Sequence, residues 1–225
     1  MSFIELFIQS LPMFMKGMLL TLELSVISLV IAMFIGMGSC LMNISSIRIL
    51  RIISQCYINI IRGTPLLVQT FFIYFGLTKA LGFSMTAFVA GIVALSLNAG
   101  AYLSEIFRGG IEAVPKGQME AARSLGLPKS IAMLRVILPQ AVRIVVPSVV
   151  NQCIITIKDT SIISVIGLAE LTMIGSQIVA RTYRSSEVWL IVGILYFIII
   201  YALTKLSKYV EKRTSRVSGE DSKSA

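Results

Sequence analysis

Five stretches of this chain, at about 18–42, 57–78, 85–107, 144–167 and 188–206, are apolar over close to twenty residues or more. A run of that length crosses the hydrocarbon of a bilayer as a helix, because lipid offers the backbone no partner and each N–H and C=O must be bonded within its own segment. The pattern predicts an all-α, polytopic membrane protein with about five transmembrane helices. Only 14% of the residues are charged, against about 25% in a soluble domain, too few to solvate such a chain in water.

Charge placement gives an orientation. Fifteen of the 20 Lys and Arg, from Arg48, Arg51 and Arg62 through Arg108 to Arg143 and on to the C-terminal cluster, fall on one side of the spans; Lys16, Lys79, Arg181 and Arg184 fall on the other. Short loops rich in Lys and Arg stay in the cytoplasm. The N-terminus is therefore expected outside a plasma or inner membrane, with the loop at about 112–139 and the C-terminus inside. The net charge of +9 follows from this topology and from attraction to anionic membrane lipid; no nucleic-acid motif accompanies it.

Residues 1–12 have no positive n-region and include Glu5, which speaks against a cleaved signal peptide. Phe3, Phe7 and Leu11 at helical spacing before Pro12 predict an interfacial segment over 1–17. The membrane domain is expected over 18–211, followed by a Ser-rich, charged, disordered tail over 212–225. Cys40, Cys56 and Cys153 are odd in number and widely spaced, and His is absent. The sequence therefore offers no disulfide framework, no metal set and no nucleophile–base pair, and no catalytic residue is assigned.

Polar residues inside apolar runs mark where function is expected. Gly36, Gly38 and Ser39 are small enough for close helix contact. Arg62-Gly63-Thr64-Pro65 breaks the backbone ladder and predicts a kink or discontinuous helix, with Gln69 and Thr70 just beyond it. Asn98, Tyr102 and Glu105 share one helical face; Asn98 suits either interhelical bonding or a translocation wall, and Glu105 an ion pair with Arg108. Lys158-Asp159-Thr160-Ser161 interrupts the fourth span, where Asp159, Thr160 or Ser161 is expected to cap a new half-helix and present free amides to a substrate carboxylate. A buried structural pairing of Lys158 and Asp159 is the competing reading. The substrate path is thus expected at Asn98, Asp159, Thr160 and Ser161, with Gln69. Glu170 suits either a cap of that short half-helix or contact with an outside binding partner.

The loop reads Glu120-Ala121-Ala122-Arg123, then Gly126, then Leu138-Pro139. Helix formers ended by Gly126 and Pro128, with a second short helix over 129–138, make a compact cytoplasmic knob. This spacing resembles the coupling loop, the EAA motif, of importer-type ABC permeases, with Val136 where isoleucine is commoner. RGTPLLVQ and KDTSIISVIGLAELT resemble the polar-amino-acid branch of that family, so the likeness runs over about 17–189.

The resemblance implies a type I ABC importer transmembrane domain that imports a polar amino acid. It implies ATPase coupling through Glu120, Ala121, Ala122, Arg123, Gly126, Leu138 and Pro139. It also implies partners: an ATP-binding cassette ATPase dimer, a second permease subunit and an extracytoplasmic amino-acid-binding protein. No G-x-x-x-x-G-K-[ST] phosphate loop is present, so ATP and Mg are expected on the partner ATPase and no cofactor in this chain. The alternative is a secondary carrier driven by an ion gradient, with Lys158 and Asp159 as its ion site. The phrases are shared by importers of several amino acids and leave the individual substrate open.

Overall fold

The computed structural model describes the backbone of residues 3–221 and the side chains of residues 3–205. Over that range the chain is helical, with no strand. The helices are α1 (Phe3–Asn43), α2 (Arg48–Arg62), α3 (Leu66–Leu81), α4 (Ala87–Glu112), α5 (Lys116–Ser124), α6 (Lys129–Ile166), α7 (Leu171–Thr182) and α8 (Ser185–Asp221). Helices α1, α4, α6 and the Ser185–Lys205 part of α8 are long and apolar enough to cross a membrane; α2 and α3, bent by 105° at their break, give a fifth span only as a pair.

One stripe organises α1. Leu6, Ser10, Phe14, Gly17, Thr21, Leu24, Ser28, Ala32, Gly36 and Ser39 are buried at intervals of three or four, which puts them on one face. The separate segment expected over 1–17 is not set apart, because the helix passes through Pro12 and the stripe continues across it. Leu6 and Phe14 are fully buried in a cluster with Ile174 of α7 and Val188 and Ile191 of α8. Proline inside a membrane helix is tolerated where neighbouring helices hold the backbone.

Helix α4 lies between α1 and α6, sharing one cluster through Ala32, Leu103, Phe107 and Val145 and another through Leu24, Leu95 and Ile163. At the first contact a Cβ on Gly36 would lie 2.8 Å from the Leu103 Cβ and 3.0 Å from the Gly100 carbonyl oxygen, so only glycine permits the approach. Gly38, grouped with it in the sequence, faces open space. Ser39 shares a 2.8 Å hydroxyl hydrogen bond with Ser54 of α2.

The α6 region departs most from expectation. In place of a short helix ending at Leu138 and a half-helix starting near Asp159, one helix runs from Lys129 to Ile166. Pro139 does not end it. Lacking an N–H, this residue is accommodated by a π stretch over Met133–Ile137, in which the Leu138 N–H reaches the Met133 carbonyl five residues back. Asp159, Thr160 and Ser161 cap nothing and expose no free amides: Thr160 Oγ1 donates to the Ile157 carbonyl at 2.7 Å and Ser161 Oγ to the Lys158 carbonyl at 2.7 Å. Hydroxyls that bond back along the helix leave it intact. The break comes at Gly167, in the left-handed region at φ 85°.

Glu170 begins α7 as its N-cap. Its Oε1 accepts from the Met173 N–H at 2.9 Å and its Oε2 from the Tyr196 hydroxyl of α8 at 2.8 Å. Thr21 of α1 accepts from the Leu171 N–H at 3.2 Å. Glu170 is fully buried, and the helix it caps is the one that follows it, not a short helix before Gly167. Helix α8 continues through 212–221, where an irregular tail was expected; no proline interrupts it there. Residues 222–225, the end of that expected tail, lie outside the described residues.

Candidate functional site

Three regions carry the polar groups singled out above. The first is the elbow between α2 and α3. Pro65 has no N–H and disfavours helical geometry in the residue before it, so α2 stops at Arg62 and α3 starts at Leu66. The last carbonyls of α2 would then lack partners. The Gly63 N–H donates to the Asn59 carbonyl at 2.9 Å and Thr64 Oγ1 to the Ile60 carbonyl at 2.8 Å, while Gln69 Nε2 donates to the Ile61 carbonyl at 2.7 Å and bridges to the Thr64 carbonyl at 3.0 Å and Thr64 Oγ1 at 2.9 Å. Its Oε1 accepts from Asn98 Nδ2 of α4 at 3.1 Å. The two carboxamides, both buried, thus staple the elbow to α4.

Farther along the same face of α4, the Arg62 guanidinium lies 5.2 Å from the Tyr102 ring centroid and 3.5 Å from Glu105. Glu105 pairs with Arg108 at 2.8 Å, as the sequence led us to expect, and Arg108 continues to Glu112 at 2.6 Å. With Asn43, Arg51, Gln55 and Asn59, these charges line an open cleft of about 650 Å³.

The second region is the second half of α6. Lys158 is exposed, Asp159 half-buried and Thr160 fully buried. No hydrogen bond among the described residues joins Asp159, Thr160 or Ser161 to Asn98 or Gln69, so the five expected path residues form two groups. Ser148 and Asn151 are also exposed, and with Lys158 they make a polar stripe at intervals of three and seven. Sequence reasoning passed over Ser148 and Asn151, although their helical phase with Lys158 was readable. A polar stripe within a span has to face protein or water.

The third region is α5. Ala122 is buried, at 3% exposure, while Glu120, Ala121 and Arg123 face outward. Leu125 at the tip is 83% exposed, an apolar side chain offered to solvent that the sequence did not single out. Gly126 turns the corner at φ 84°. The Leu127 N–H donates to the Ala122 carbonyl at 3.2 Å and the Gly126 N–H to the Arg123 carbonyl at 3.0 Å. Arg123 Nη1 donates to the Leu127 carbonyl at 3.0 Å. The knob is therefore capped by its own residues and tied at once into α6. Leu138 and Pro139 lie one π stretch beyond, in α6 itself, above a small cluster of Val114, Ile137 and Ala141.

Residues 39–216 match the family model described as binding-protein-dependent transport system inner membrane component. The chain is 40% identical to the arginine transport system permease protein ArtQ of Bacillus subtilis over 206 residues, covering 92% of this chain and 94% of that one. It is 38% identical to the glutamine transport system permease protein GlnP of Escherichia coli over 205 residues, 91% of this chain and 94% of the relative. A crystal structure of an amino acid ABC transporter with histidines superposes with a TM-score of 0.90 at 40% identity, over 95% of this chain and 99% of that chain.

Proposed function

The chain belongs to the family of binding-protein-dependent transport system inner membrane components, and from that premise we propose that it is the permease subunit of an ATP-driven importer of a polar amino acid. It is a transport component and does no covalent chemistry of its own. The observation that carries the reading is α5: an exposed, self-capped helix with an apolar tip at Leu125, tied through Gly126 to the foot of α6.

In this reading Glu120, Ala121, Arg123 and Leu125 seat in the ATPase, with Ala122 packing the helix onto its own subunit. Gly126 holds the corner, and Leu138 and Pro139 set how the push enters α6. ATP and Mg belong to the ATPase dimer. The exposed stripe of Ser148, Asn151 and Lys158 faces a second permease or the aqueous path between the two subunits, with Asp159 as the charged group beside it. Asn98 and Gln69 bound the path at the elbow and hold its shape. An external binding protein delivers the substrate on the N-terminal side, and the α5 side is cytoplasmic. The ion-driven carrier is not favoured, since it has no use for α5.

The test is purification of the C-terminally tagged chain with its partners, followed by uptake in proteoliposomes. An ATPase should co-purify with the unaltered chain and be lost with Gly126→Val, and uptake should stop on ATP depletion while an ion gradient persists. A Cβ at this position meets no neighbour within 4 Å, so the effect comes chiefly from forcing a left-handed residue, about 1–2 kcal/mol, and from the partner's surface. Uptake that survives ATP depletion, or that is unchanged by Gly126→Val, would overturn the proposal.

A further inference from the structure

Helix α2 is fifteen residues long, about 22 Å at 1.5 Å per residue, and so too short to cross ~30 Å of hydrocarbon. Its 105° bend from α3 keeps the two from adding end to end, so in the span that they give as a pair the crossing is left to α3. At about 100° per residue its surface divides into three sectors. One is fixed to the bundle: Ser54 Oγ donates to the Ser39 carbonyl at 2.7 Å, and the Tyr57 hydroxyl donates to the Leu97 carbonyl at 2.6 Å. A second is polar, with Arg51, Gln55, Asn59 and Arg62 lining the cleft. The third is an exposed apolar row of Ile49, Ile52, Ile53 and Ile60, with Cys56 among them.

The helix contains Arg48, Arg51 and Arg62 and no acidic residue. An apolar sector beside a cationic one, on a helix that cannot span, is the arrangement of an in-plane interfacial helix. Apolar side chains are exposed on both flanks as well, at Leu41 and Ile44 around the end of α1 and at Leu67 and Val68 at the start of α3.

We propose that α2 lies in the plane of the membrane surface with its isoleucine row among the acyl chains and Arg48 and Arg51 on the headgroup phosphates of anionic phospholipid. Arg51 already donates one guanidinium nitrogen to the Ser45 carbonyl at 2.9 Å, which fixes its direction at the head of the helix. The lipid thereby becomes a structural partner of the elbow, since α2 carries Arg62 and the Ile61 carbonyl that Gln69 holds.

The test uses the full chain with its co-purifying partners in nanodiscs of phosphatidylcholine with roughly one third phosphatidylglycerol. In a Cys40→Ala, Cys56→Ala, Cys153→Ala background, a nitroxide at Ile53→Cys should be relaxed more by oxygen than by an aqueous nickel chelate, and one at Gln55→Cys the reverse. Retention of phosphatidylglycerol over phosphatidylcholine should fall about fivefold for each arginine removed in Arg48→Gln and Arg51→Gln. Equal chelate access at both positions would overturn the proposal, as would a nitroxide at Ile53→Cys shielded from both reagents, which would mean a protein partner such as a second copy. Displacement of the lipid by matched inorganic phosphate would mean a free-anion site instead. Should the arginine variants fail to assemble, the depth measurement decides alone.

Discussion

Gln69 makes hydrogen bonds that no side chain of similar size without an amide can make. Gln69→Leu removes the side-chain partner of the Ile61 carbonyl, the Thr64 carbonyl and the Asn98 amide together, at about 1–3 kcal/mol for a buried polar group left unpaired. Asn98→Leu removes only the tie to α4, where membrane hydrogen bonds average about 0.6 kcal/mol. Thermal unfolding in detergent should therefore rank Gln69→Leu well below Asn98→Leu, with the double variant less damaging than the two effects added; equal effects would mean that the elbow is held otherwise. At this scale the sequence was legible where partners are local. Glu105 and Arg108 are three apart on one helix, and their pairing could be read directly. Gln69 and Asn98 read only as polar groups in spans, because the carbonyls that occupy Gln69 become orphans only once the chain has folded at Pro65.

Breaks in the helices divide the same way. Pro65 and Gly126 end helices as their chemistry requires, and both ends were readable in advance. Lys158 to Ser161 looked like a break because charge and hydroxyls interrupt an apolar run, yet Thr160 and Ser161 bond to their own helix and α6 passes through. Pro139 is absorbed by a π stretch, a device that leaves no mark in residue periodicity. Pro139→Ala restores the missing donor and lets 133–137 return to ordinary α geometry, which turns the foot of α6 by about 100° against its upper part. Uptake should fall at least tenfold while the ATPase stays bound; unchanged uptake would show that this phase does not matter. Gly36→Val should lower the unfolding temperature, costing about 1–3 kcal/mol by overpacking against Leu103 and Gly100. Gly38→Val, facing open space, should be near neutral, and similar losses at both positions would refute the close α1–α4 contact.

For the whole molecule, hydropathy alone gave the helical class, and most spans fell where they were expected. The exception is the second, counted over 57–78: its first part belongs to α2, whose amphipathic character was hidden within a run judged on mean hydropathy. Orientation is open to a direct check, since a reporter that works only outside the cell should be active when fused ahead of Phe3 and silent after Ala225. The reverse result would invert the topology. Helix α6 has one more consequence. It runs unbroken from the knob to Gly167, and one of its close contacts with α4 is where Gly110 admits Val145. From that crossing the arm toward Lys129 is about 24 Å and the arm toward Ile166 about 32 Å. A rod pivoted there is a lever of unequal arms. In the function proposed above, an ATPase that pulls the short arm one way would swing the far end about a third farther in the opposite direction, so that opening one mouth and closing the other would be the same motion.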